Sequence, residues 1–72
     1  MRPEPATKAQ LKTARMLNEM LRLAATEEDY SLVRADIRKA YKAGLLTNRQ
    51  INFLRDRYVW SAHTKNVPVE RL

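Results

Sequence analysis

Arg34, Arg38 and Lys42 recur every four residues, and Asn48, Arg49, Asn52 and Arg55 follow soon after. On a helix, positions four apart share a face, so the first three make a row of positive charge. Like charges at that spacing repel by a few tenths of a kcal/mol per pair. A row kept without intervening acids suits phosphate oxygens, although Asp36 with Lys39 is an ordinary helix pair. The later residues suit base edges: Arg pairs with guanine and Asn with adenine, each through two hydrogen bonds. Arg34, Arg38, Lys42, Asn48, Arg49, Asn52 and Arg55 are therefore the candidate nucleic-acid-binding residues. Phe53, Arg57 and Trp60 form a second set, the candidate partner interface, because Trp and Arg are enriched among binding hot spots.

The balance of charge supports the first set. The chain carries 14 Lys and Arg against 8 Asp and Glu, a net of +6. Residues 34–65 hold eight of the bases and only two acids, Asp36 and Asp56, so the whole excess sits there. Such concentrated charge is an electrostatic footprint for a polyanion.

Other chemistry finds little support. With one histidine and no cysteine, no Ser/His/acid or Cys/His constellation is expected, and a single glycine cannot make a glycine-rich phosphate loop. A non-enzymatic protein with no catalytic residues, no metal ligands, no cofactor and no small-molecule substrate is expected. The start, Met1-Arg2-Pro3-Glu4-Pro5, leads into polar residues rather than the apolar run of a signal peptide. No stretch reaches the roughly 20 apolar residues of a membrane span, so the expected location is cytoplasmic and no membrane partner is expected.

The elements that must position these residues are helices. Thr7 with Gln10 and Thr47 with Gln50 have the spacing of a capping box. Thr26 before Glu27, Glu28 and Asp29 caps a third start and puts acids on the positive end of the helix dipole. Gly44 ends the second helix in a left-handed turn, and Pro68 bars a helix from the tail. The expectation is an all-α, compact three-helix domain over residues 1–72. It has an N-terminal arm over 1–6, helices over about 7–25, 27–43 and 47–62, and an irregular tail over 63–72.

Apolar periodicity assigns the core. The first helix offers Ala14, Met16, Leu17, Met20, Leu21, Leu23 and Ala24; the second Tyr30, Val33, Ile37, Ala40 and Tyr41; the third Ile51, Leu54, Tyr58 and Ala62. Leu45 and Leu46 can plug the space beneath the turn. Phe53 and Trp60 fall roughly opposite the third stripe, so something else must cover them. The choices are the tail residues Val67, Pro68, Val69 and Leu72, a second copy of the chain, another protein, or unpaired nucleic-acid bases.

Ala40 and Gly44, four apart and followed by Leu45, are similar to the helix-turn-helix pattern, with Ile51 one position later than the tightest form of that motif. The resemblance implies a third helix that offers its first turn to a major groove. The run LTNRQINFLRDRY resembles the opening of the last domain of bacterial sigma factors and response regulators. It reflects a shared way of starting a helix, and no residue role is carried over. In style, small basic cysteine-free domains resemble bacteriophage gene products. The functional expectation is a regulatory protein that binds DNA through its basic hairpin in transcription control. The alternative is a regulator that docks on a nucleic-acid-handling machine such as RNA polymerase. A homodimer through the aromatic face would leave the basic hairpins pointing outward.

Overall fold

Each helix begins where a threonine can satisfy amides that the helix itself leaves unpaired. In the computed structural model, which describes residues 5–72, α1 spans Lys8–Leu23, α2 Glu27–Lys42 and α3 Asn48–Thr64. The first four residues of the expected arm lie outside the described residues. All three starts close a complete capping box, Thr7 with Gln10, Thr26 with Asp29 and Thr47 with Gln50. Two helices also stop alike. Gly44 (φ 76°) and Asn66 (φ 56°) take the left-handed conformation. The next amides, of Leu45 and Val67, then reach back to the carbonyls of Ala40 and Ala62 at 2.9 Å. These are Schellman turns. Asn66 is tolerated because its short polar side chain makes that backbone region accessible.

The chain folds up, down and up. Gln10 Nε2 donates to the Gly44 carbonyl at 3.2 Å, which ties the start of α1 to the α2–α3 turn. At the other end, Lys65 Nζ donates to the carbonyls of Leu21, Arg22 and Ala24 at 3.4, 2.9 and 2.5 Å. An ammonium there satisfies the orphan carbonyls of α1 and meets the negative end of its dipole. The helices thus run side by side, and the described residues extend 39 × 19 × 17 Å.

Leu17, Leu21, Ala24, Tyr30, Val33, Ile37, Ala40, Leu46, Leu54, Tyr58 and Ala62 make one core cluster. Tyr30 and Tyr58 meet edge to face at its centre, with ring centroids 5.9 Å apart and planes at 79°. Burial pushes the Tyr58 hydroxyl above its ordinary pKa, and the nearby Arg34 charge partly opposes that shift.

Four expected core residues stay outside: Met16 is 56% exposed, Leu23 67%, and Tyr41 and Leu45 are also exposed. The apolar face of α1 is wider than two neighbouring helices can cover, so its edge remains in solvent. Tyr41 turns outward because its hydroxyl finds a partner there, the Asn48 Oδ1 at 2.5 Å. Ser61, a polar residue of α3 not anticipated in the core, is buried. Its hydroxyl pairs with Tyr30 Oη at 2.7 Å and donates to the Leu21 carbonyl at 3.1 Å.

Ser61→Ala leaves the Tyr30 hydroxyl buried and unpaired, so chemical denaturation should show a loss of about 1–3 kcal/mol. Adding Tyr30→Phe should cost less than the sum of the single changes. Strict additivity would mean that the two hydroxyls are not coupled. At the start of α2, the amides of Ala25 and Thr26 donate to the Asp29 carboxylate at 2.9 and 3.1 Å and hold it below its ordinary pKa of 3.8. A carboxylate depressed in the folded state adds stability above its unfolded pKa and loses it as pH falls through the folded value. Asp29→Asn should therefore lower the thermal midpoint at neutral pH, and the gap from wild type should shrink below pH 3.8. A gap independent of pH would contradict this role.

Candidate nucleic-acid interface

The hairpin that carries the basic row is zipped along its length. Tyr41 meets Asn48 beside the turn, and Tyr30 meets Ser61 at the far end. With α2 and α3 alongside each other, one flank of each forms the wall of a shared groove. That groove encloses about 340 Å³ and is lined by Arg34, Arg38, Tyr41, Lys42, Ile51, Arg55, Arg71 and Leu72. Five of these side chains are cationic and none is acidic. The cations of this groove come from both helices and from the tail.

Three of the expected binding residues, Arg38, Lys42 and Arg55, are exposed on the groove and make no ion pair among the described residues. Arg34 is held differently. Its Nε donates to the Arg71 carbonyl at 2.8 Å, and its terminal nitrogen lies 3.9 Å from Glu70. Glu70 is well exposed, so that pair contributes little. Arg34 thus ties the tail to α2 and helps form the groove floor. Asn48, Arg49 and Asn52 are exposed on the first turns of α3, outside the groove. The Asn48 carbonyl oxygen is occupied by Tyr41. The expected set therefore divides into four groove residues and three that the structure does not bring to it. Lys65, counted above in the basic excess, is occupied at the end of α1.

Arg71 is the groove cation that the sequence reading missed. It lies in a tail without helical periodicity, so nothing in its spacing assigns it a face. The packing of Val67, Val69 and Leu72 against the core, together with the Arg34 hydrogen bond to its carbonyl, brings it there.

That packing also decides how Phe53 and Trp60 are covered. The tail reaches the groove flank of α3 and leaves Phe53 49% and Trp60 60% exposed. Arg57 lies between them, its guanidinium carbon 5.3 Å from the Phe53 ring centroid and 5.8 Å from that of Trp60. Both distances fall within cation–π range. Beside Trp60 is a wider, more apolar pocket of about 690 Å³, also lined by Val59, His63, Asp56 and Leu72. It shares Arg55, Arg71 and Leu72 with the cationic groove, so the two form one continuous surface.

No protein-family model, curated protein or solved structure matches the chain. Among the described residues, no group of three or more His, Cys, Asp or Glu side chains could hold a metal ion. No helix among them is long and apolar enough to cross a membrane.

Because Trp60 is the only tryptophan and stands in water, its fluorescence should already be red-shifted in the folded protein. Unfolding in guanidinium should then move the emission maximum little. A blue emission that shifts red on unfolding would show that the ring is covered in solution.

Proposed function

We propose that the protein is a small nucleic-acid-binding regulator whose α2–α3 groove takes the phosphodiester backbone. The observation that carries this reading is the convergence of Arg34, Arg38, Lys42, Arg55 and Arg71 on one groove with no acidic side chain in its lining. Cations gathered so closely repel one another, and an anionic ligand with regularly spaced charges relieves that repulsion. Guanidinium groups also fit phosphate through paired hydrogen bonds. Asn48, Arg49 and Asn52 lie outside the groove lining and the Asn48 carbonyl oxygen is engaged by Tyr41, which favours contacts to phosphate over base reading by the first turn of α3. Phosphate contacts supply affinity and position without sequence information. A role in transcription control is compatible with such binding and would draw its specificity from a further contact.

The exposed Phe53–Arg57–Trp60 stack supports a second reading, in which this face docks on a protein that handles nucleic acid. Aromatic and arginine anchors of this kind dominate many interfaces.

Salt dependence tests the first reading. Each phosphate neutralised on duplex DNA contributes about 0.9 to the slope of log affinity against log salt. Contacts from four of the groove cations should therefore weaken binding by about 100-fold between about 50 and 200 mM salt. Arg38→Ala combined with Lys42→Ala should lower affinity for a labelled oligonucleotide and reduce that slope by about two. Binding indifferent to both changes would exclude the groove. Salt-insensitive capture of a protein, lost in Trp60→Ala, would favour the second reading.

A further inference from the structure

The cationic groove does not end at α2. Through Arg55 and Arg71 it opens into the pocket beside Trp60, and this continuity bears on which form of nucleic acid fits. A strand following the groove would hold its phosphates on Arg38, Lys42 and Arg55, and its next unit would arrive at an exposed indole. In a duplex, the bases are stacked on each other and turned inward, so an indole beside the backbone meets none. In a single strand the bases are free, and any of them can stack on an aromatic ring.

We infer that the protein binds single-stranded nucleic acid, with the backbone in the α2–α3 groove and an unpaired base stacked on Trp60. This rests on the groove reading above and adds the substrate class to it. Three features support the aromatic part. Trp60 lines the pocket and is 60% exposed, so its ring is available. Arg57 packs against the same ring but does not line the pocket, which braces the indole while leaving its pocket side open. The pocket volume, about 690 Å³, lies within the range of small-molecule sites. Val59 and Leu72 supply the apolar walls that a base would replace water against, and Arg55 and Arg71, which line both the pocket and the groove, would hold its phosphate where the two meet. Asp56 is the one acid in the lining. It disfavours a second phosphate inside the pocket and leaves the space to a neutral base.

The test uses the intact protein and three fluorescein-labelled probes: an oligothymidylate of about ten nucleotides, an abasic strand of equal length, and a duplex. The abasic strand keeps the phosphates and lacks the bases. Oligothymidylate should quench Trp60 emission and bind more tightly than the abasic strand or the duplex. Trp60→Ala, a change at an exposed position, should weaken its binding by about 5- to 150-fold and abolish the preference. Trp60→Phe should restore part of it, because a smaller ring still stacks. Equal binding of oligothymidylate and the abasic strand, with Trp60 emission unchanged, would overturn the stacking inference while leaving the groove reading intact. Failure of all three probes to bind at low salt would remove the groove reading and the inference with it.

Discussion

One buried chain of hydrogen bonds joins all three helices: Tyr30 of α2 to Ser61 of α3, and Ser61 to the Leu21 carbonyl of α1. Apolar packing alone is tolerant of small slides, since neighbouring turns of a helix offer similar surfaces. A buried hydroxyl pair is not tolerant, because moving either helix leaves a desolvated polar group unpaired. The chain therefore fixes the axial register of α2 against α3. That register sets Arg34 and Arg38 level with Arg55, and so the groove depends on a contact in the core.

The basic side chains of the hairpin divide by what surrounds them. Lys65 and Arg34 are anchored to backbone carbonyls, one closing α1 and the other holding the tail. Arg57 lies against Phe53 and Trp60. Arg38, Lys42 and Arg55 remain in solvent without ion pairs among the described residues. A net charge alone would not have separated these roles. The tail adds to this division, holding Arg34 through a backbone carbonyl and delivering Arg71 to the same groove as the unpaired cations.

The three helices are legible in the sequence because their boundaries are local chemistry. Thr7, Thr26 and Thr47, with Gly44, act on amides and carbonyls within a few residues. The inner stripe of each helix is legible for a similar reason, since periodicity follows from backbone geometry. What escapes is whatever depends on the width of a neighbour. Met16 and Leu23 have the periodicity of buried residues, yet α2 and α3 together do not extend over them. Ser61 looks like a surface residue until the Tyr30 hydroxyl is placed opposite it. The candidate site divides along the same line: the row Arg34, Arg38 and Lys42 is visible as a four-residue repeat, whereas Arg71 is brought in only by tertiary packing. Asn48 reads as a free base-contacting side chain because Tyr41 gives no sign in sequence of turning outward.

The connections between helices are short, residues 24–26 after α1 and 43–47 after α2. Two of the three helix pairings, α1 with α2 and α2 with α3, therefore close only small loops, and small helical domains rich in local contacts fold in microseconds to milliseconds. Reassembly on that scale gives half-formed chains little time to meet one another, so a protein with Met16, Leu23 and Trp60 on its surface can pass through its unfolded state with little opportunity to aggregate.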